Sequence, residues 1–251
     1  MFTGFLFINN LQKNTRKTKT KVTYSVTSVT LDPTQNHLQE NFTPQQLKTI
    51  LSLYSPPLKW LEQKGREVYG DHFRFFERDK FLLFQLICYF LKDEKHAVQF
   101  KIHLHKGILL NGPVGCGKTS LMFLMRFLES QQNRFVLRSC REISFDFIKD
   151  GYNVIQKYSR NNFQKNQQIV YCFDDLGTEN NLKYFGNECN VMAEILLSRY
   201  DLFISHKTVT HLTTNLSASE IENAYGNRVR SRMREMLNLI SFDKNTTDKR
   251  K

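Results

Sequence analysis

The stretch GPVGCGKTS, residues 112–120, follows an apolar run, GILLN (107–111), and precedes another, LMFLMRFL (121–128). It meets the pattern G-x-x-x-x-G-K-[ST] through Gly112, Gly117, Lys118 and Thr119, where a buried strand should turn into a helix. Glycines let a backbone aim its N–H groups at phosphate oxygens, and a helix starting near Lys118 adds the positive end of its dipole. The loop Gly112, Pro113, Val114, Gly115, Cys116, Gly117, Lys118, Thr119 and Ser120 is therefore expected to cradle the phosphates of a nucleoside triphosphate. In that reading Lys118 reaches the outer phosphates and Thr119 holds Mg²⁺. The bland alternative, a chance glycine loop, does not account for the strand and helix on either side.

Working outward, the segments GILLN (107–111), RFVLRS (134–139), IVYCF (169–173), TVTHLTT (208–214) and LNLISF (237–242) are short, apolar and separated by helical stretches. Fully apolar strands alternating with helices predict a parallel five-stranded sheet covered on both faces, a three-layer α/β P-loop NTPase. Upstream the pattern is helical. Thr43-Pro44 opens a helix expected to end before Pro56-Pro57, because proline disfavours helical geometry in the residue before it. LKWLEQKGREVYG (58–70) and ERDKFLLFQLICYFLKDEK (77–95) complete a small helical module. The expected division is a basic arm over 1–35, the helical module over 36–100 and the NTPase core over 101–251.

The chain has 251 residues and carries 36 Lys and Arg against 24 Asp and Glu, a formal +12, which suits a polyanionic partner such as nucleic acid. Residues 1–31 contain no Asp or Glu and hold Lys13, Arg16, Lys17, Lys19 and Lys21, a composition open to a DNA-touching arm, an organellar transit peptide or a solvated tail. The longest apolar run, FLLFQLICYFL (81–91), is too short to span a bilayer and reads as a buried helix, so no membrane partner is expected. Five cysteines without C-x-x-C spacing fit a reducing compartment, the cytoplasm, and no structural zinc.

A P-loop needs a metal-holding acid at the end of a neighbouring strand. IVYCFDDLG (169–177) supplies Asp174, placed to orient Mg²⁺, and Asp175, placed to polarise the attacking water; the alternative is an ordinary strand-ending turn. THLTTNLS (210–217) ends a strand at Asn215, an amide suited to the γ-phosphate or its attacking water. YGNRVRSRMREM (225–236) places Arg228 and Arg232 on one helix face and Arg230 and Arg234 on a roughly opposite one.

Together GPVGCGKTS, DDLG, TTNLS, YGNRVRSRM and ISFDKNTTDKR (240–250) resemble the DnaC/IstB-like AAA+ ATPases, bacterial helicase loaders and transposition helper ATPases. The resemblance covers about residues 101–251 and leaves the first hundred without a family. It implies that Lys118 and Thr119 belong to Walker A, Asp174 and Asp175 to Walker B, and that Asn215 is sensor 1. Arg232, in the Ser-Arg pair, becomes the first candidate for an arginine finger, Arg228 the second, and Arg250 matches the sensor 2 arginine. It further implies a sheet in order 5-1-4-3-2, no separate helical lid, and an ATP and Mg site completed by a neighbouring copy in a homo-oligomer. The implied partners are DNA, mainly single-stranded and read without sequence specificity, and a replicative helicase or, alternatively, a transposase.

In such proteins the region before Walker B often carries an extra helix that meets single-stranded DNA. Here FDFIKDGYNVIQKYSRNNFQK (145–165) interleaves Lys149, Tyr152, Lys157, Tyr158, Arg160, Phe163 and Lys165, a mix that tracks and stacks on a strand. An amphipathic core helix is the alternative. A P-loop kinase of small molecules would need an acceptor pocket and a mobile lid, neither of which is visible in the sequence. A low-turnover nucleotide-dependent switch is compatible with Asp175 being one methylene shorter than a glutamate.

Overall fold

The five apolar segments become five parallel strands: β1 (Gly107–Asn111), β2 (Val136–Ser139), β3 (Tyr171–Leu176), β4 (Thr210–Thr214) and β5 (Leu237–Ser241). A computed structural model describes residues 43–131, 133–159, 163–164, 167–179, 182–184 and 187–250; the basic arm over 1–35 lies outside them. The sheet order is β2-β3-β4-β1-β5, which read from the other edge is 5-1-4-3-2, the order that the resemblance implied. Leu109 stands beside Leu212 on one side and Leu239 on the other, and Leu212 also pairs with Phe173. Ile108, Leu110, Phe173, Leu212 and Thr213 are fully buried, which requires cover on both faces of the sheet.

α4 (Lys118–Met125) follows β1, and the cluster on one face of the sheet comes from α5 (Cys140–Asp150), α6 (Asn153–Tyr158), α7 (Val191–His206) and α8 (Ala218–Met236). Ile143, Phe147, Ile195, Leu196, Val229 and Met233 form one apolar cluster with Leu109, Phe173 and Leu212. Two short antiparallel pairs, Phe163–Gln164 with Gln167–Gln168 and Leu182–Tyr184 with Asn187–Cys189, precede and follow β3. Ser217 caps α8 in a capping box with Glu220, which satisfies two otherwise orphaned N–H groups. Gly226, at φ 83°, then kinks this helix. Nothing crowds that glycine, so a side chain there would be strained by the backbone angle and not by lack of room.

The described residues divide into two compact units, 43–104 with 124–131, and 105–123 with the described residues of 133–250. The first is built on α1 (Pro44–Tyr69), α2 (Lys80–Phe90) and α3 (Glu94–Gln99). Thr43 caps α1 reciprocally with Gln46, and proline occupies its first turn, where a missing N–H costs nothing.

The expected break at Pro56-Pro57 does not occur, and α1 runs through both prolines. Its buried stripe explains why: Ile50, Tyr54, Leu58 and Leu61 share one face and are all buried. At roughly 1.5–3 kcal/mol for each large apolar side chain taken from water, four such residues supply about 6–12 kcal/mol, enough to offset the ~3 kcal/mol cost of each of the two prolines in the helix interior. In α2 every residue from Phe81 to Phe90 is buried, as the apolar run predicted. Asp93 ties the module together, accepting hydrogen bonds from Tyr54 Oη (2.7 Å) and from the His96 backbone N–H (3.2 Å).

Candidate functional site

Strand β1 delivers the glycine loop to the carboxyl edge of the sheet, and α4 begins at Lys118. Gly115 and Gly117 have φ of 78° and 95°, left-handed values that open the loop into a concave turn. Lys118 is buried, and its Nζ donates to the carbonyl oxygens of Gly112 (2.9 Å) and Pro113 (3.0 Å). Those oxygens hold the ammonium over the loop, as phosphate oxygens would when a nucleotide is bound.

The two aspartates follow from the end of β3. Asp174 is buried and accepts from Thr119 Oγ1 (2.8 Å) on one oxygen and from Thr213 Oγ1 (2.6 Å) on the other. Burial raises its pKa, and the two hydroxyl hydrogen bonds work against that rise. The Thr119–Asp174 pair fits a magnesium ion: two oxygen donors from α4 and β3 meet beside the phosphate loop. Among the described residues no cluster of three or more His, Cys, Asp or Glu side chains is gathered for a metal. Mg²⁺ beside a phosphate needs none, because phosphate oxygens and water complete its octahedron.

Asp175 is exposed, with φ of 55°, at a register shift between β3 and β4. The irregularity turns its side chain out while Asp174 stays in. Its backbone N–H donates to Thr213 Oγ1 (2.8 Å), so one fully buried hydroxyl positions both acids. Thr214 secures the same strand end by donating to the Leu176 carbonyl (2.7 Å). Sequence reasoning named neither threonine, because a Thr-Thr pair in a strand is what β-propensity alone would place there. The available signal was two hydroxyl residues immediately before Asn215. Replacing Thr213 by valine keeps shape and deletes the clamp. Steady-state ATP hydrolysis of Thr213→Val should drop by about 10- to 100-fold, as for other groups that orient a metal ligand. Metal-free nucleotide binding should stay unchanged and Thr213→Ser should recover the rate; a valine variant as active as wild type would remove Thr213 from the site.

Asn215 is exposed one residue beyond β4, between the ends of β1 and β3. The turn behind it is fixed by Asn111 Nδ2 donating to the Leu216 carbonyl (2.6 Å) and by the Leu216 N–H donating to Thr214 Oγ1 (3.1 Å). The arginines lie beyond the Gly226 kink, where Val229, Met233 and Met236 are buried. Arg232 is half-buried, with its guanidinium 4.8 Å from the centre of the Tyr200 ring, and Tyr200 donates to Glu235 (2.6 Å). Arg228, on the same flank, is exposed. Arg230 pairs with Glu222 at 2.6 Å.

Arg250, the sensor 2 candidate, sits within the segment that follows β5. After β5, Phe242 donates its N–H to the Asn111 carbonyl (2.8 Å) and packs on Gly112. The chain turns at Asp243, whose side chain accepts from the Asn245 N–H (2.7 Å), and Thr246 is buried. It then returns to the glycine loop. The Lys249 N–H donates to the Gly115 carbonyl (3.0 Å), and the Asp248 carboxylate lies against the Gly115 Cα, in the space that a Cβ would take. Arg250 donates from its backbone N–H (2.9 Å) and from Nε (3.2 Å) to Asp248 Oδ1.

The 145–165 stretch divides between core and surface. It is two helices, α5 and α6, separated at Gly151. Phe147, Val154 and Tyr158 are buried, so Tyr158 is a core residue stacked edge-on against Tyr171 and is unavailable to a base. Phe145, Ile148 and Tyr152 are instead exposed, with the Arg141 guanidinium 5.5 Å from the centre of the Phe145 ring. Lys149 is exposed, and Lys157 is paired with Asp146 at 3.3 Å. Phe163 opens a two-residue strand, and Arg160 and Lys165 lie outside the described residues.

The sheet order, with the glycine loop following the strand next to one edge, defines a P-loop NTPase core of the AAA+ arrangement. No family model and no curated protein matches the chain. Among solved structures it is similar to a DnaC helicase loader (21% identity, TM-score 0.42, covering 55% of this chain and 79% of the other). It is also similar to a putative primosome component from Streptococcus pyogenes serotype M3 (19%, 0.45, 64% and 79%) and to DnaI (17%, 0.44, 68% and 88%). No helix among the described residues is long and apolar enough to cross a membrane.

Proposed function

We propose that the chain is a cytoplasmic, Mg-ATP-dependent ATPase that assembles with copies of itself on DNA and delivers or remodels a partner protein, a replicative helicase in the first instance. The observation that carries the reading is the line Lys118, Thr119, Asp174 and Thr213 at the carboxyl edge of three adjacent strands. Lys118 and the N–H groups of residues 115–119 bind the phosphates, while Thr119 and Asp174 would hold Mg²⁺, which would supply positive charge beside the phosphate oxygens. Asp175 accepts a proton from the attacking water, and Asn215 orients that water or the γ-phosphate from the β4 side. Arg232 stabilises the terminal phosphate of a neighbouring copy, with Arg228 as the second candidate, and Arg250 serves its own copy.

DNA binding is supported by the exposed rings of Phe145 and Tyr152 and the exposed Ile148, on the helical stretch that carries Arg141 and Lys149: aromatic rings among cations suit unstacked bases on a phosphate chain. The test is ATP hydrolysis with and without single-stranded DNA across a salt series. DNA should raise turnover, and its affinity should fall steeply with salt. Removing Arg141 and Lys149 together should reduce the slope of log affinity against log salt by about 1.4, about 0.7 for each single-strand phosphate that the protein no longer neutralises. Hydrolysis indifferent to DNA, with no salt-dependent binding, would favour the protein-only switch; no hydrolysis and no ATP binding would end the ATPase reading.

A further inference from the structure

We propose that the hydrogen bond from Tyr225 to Glu179 couples the two parts of the chemistry that one copy carries: the Asp175 turn of its own site and the arginine helix that it lends to a neighbour. Glu179 and Tyr225 are positioning residues in this scheme. The proposal rests on the roles given above to Asp175 and Arg232.

The turn at the end of β3 is closed by its own residues. The Asp175 carbonyl accepts from the Thr178 N–H (3.2 Å) and from Thr178 Oγ1 (2.8 Å), and the Gly177 N–H donates to Glu179 Oε2 (3.0 Å). Asp175 itself is left-handed at φ 55°, a conformation that a residue with a side chain keeps only where its surroundings hold it. These bonds are such a hold. The other Glu179 oxygen, Oε1, accepts from Tyr225 Oη, so the carboxylate that closes the turn also reaches α8.

Tyr225 stands directly before the Gly226 kink. Its ring is buried in the same apolar cluster as Val229 and Met233, and the carbonyl of the preceding residue, Ala224, accepts from Asn190 Nδ2 (2.8 Å) at the start of α7. Glu179 and Asn190 thus fix, from outside α8, the point from which the Arg228 and Arg232 face departs. Burial first, and the Glu179 carboxylate second, raise the pKa of the Tyr225 phenol, which keeps it the donor of the pair. Moving the Asp175 turn therefore pulls on the foot of the arginine helix, and moving that helix pulls on the turn.

Tyr225→Phe keeps the buried ring and deletes only the hydroxyl. In the full-length protein it should leave the affinity of a fluorescent ATP analogue unchanged and lower kcat by about 10- to 100-fold, the factor that corresponds to one hydrogen bond to a charged group. Complementation separates the two roles. An Arg232→Ala chain mixed with a Lys118→Ala chain forms interfaces that join an intact phosphate loop to an intact Arg232. Tyr225→Phe added to the Lys118→Ala chain acts there only through the lent arginine helix; added to the Arg232→Ala chain it acts only through that chain's own turn. Each placement should lower the recovered rate by about tenfold. A loss in one placement alone, or in neither, would overturn the coupling while leaving the ATP site and the shared arginine in place. Analogue affinity that falls in step with the rate would also overturn it, because the hydroxyl would then be supporting the site as a whole. If the parent pair co-assembles and recovers no activity, the Arg232 reading fails and the coupling falls with it. Should Tyr225→Phe fold poorly, Glu179→Ala, at a half-buried position, provides the same comparisons.

Discussion

A Lys118→Ala protein should bind ATP at least about 100-fold more weakly than wild type while keeping its fold. The residue does little to hold the sheet together: its Nζ donates to two carbonyls of the loop itself, Gly112 and Pro113, which the mutation leaves to water. What disappears is the ammonium inside the cradle, and charge-assisted hydrogen bonds to phosphate are among the strongest that a side chain makes. Titration with a fluorescent ATP analogue, alongside circular dichroism to confirm folding, checks this. Unchanged affinity in a folded variant would mean that nucleotide, if bound at all, is bound elsewhere.

For Arg232→Ala the expected result is normal ATP binding with hydrolysis reduced by a factor on the order of 10³ or more. The structure places the guanidinium over Tyr200 of its own chain, so acting on a neighbour's nucleotide means leaving that ring. The comparison of magnitudes permits it. A surface cation–π contact is worth about 0.5–1 kcal/mol, whereas a 10³-fold rate effect corresponds to about 4 kcal/mol. Mixing supplies the discriminating measurement. Arg232→Ala has an intact Lys118 and Lys118→Ala an intact Arg232, so a mixed assembly has some interfaces with both groups and should hydrolyse ATP when neither variant alone does. If the two co-assemble and activity does not return, Arg232 acts within its own chain or not at all, and the exposed Arg228 is the residue to replace next.

Much of this site was legible because its chemistry is written in short, contiguous segments. The glycine loop and Asn215 follow directly on strands, the Asp174-Asp175 pair lies at the end of another, and the parallel fold brings strand ends to one edge. The strand order came from the resemblance of the ordered motifs, not from periodicity, which has no information on which strand lies beside which. What escaped were features that only tertiary proximity creates. Thr213 gains its role by facing Asp174 and Asp175 across 38 to 39 positions of sequence, and nothing local marks it. Tyr158 looked like a base-stacking ring because an amphipathic helix and a mixed cation-and-ring surface share a composition; its burial against Tyr171 decides between them. The Pro56-Pro57 break was expected from a local steric rule, and the rule lost to an apolar stripe whose partners are far along the chain. The return of Asp248 to Gly115 joins residues 133 positions apart in the sequence and has no local signature at all.

The cysteines have a practical consequence. All five, Cys88, Cys116, Cys140, Cys172 and Cys189, are buried thiols. Burial raises the pKa of Cys88 to about 12 and that of Cys140 well above the ordinary thiol value, and the protonated form is a poor nucleophile. A maleimide added to the native protein therefore meets shielded sulfur, and modification must wait for the chain to open. Cys88 lies in the helical unit and the other four in the α/β unit. Mass spectrometry of which thiol is captured first thus gives each unit its own clock of local opening, read without a chromophore or a single engineered residue.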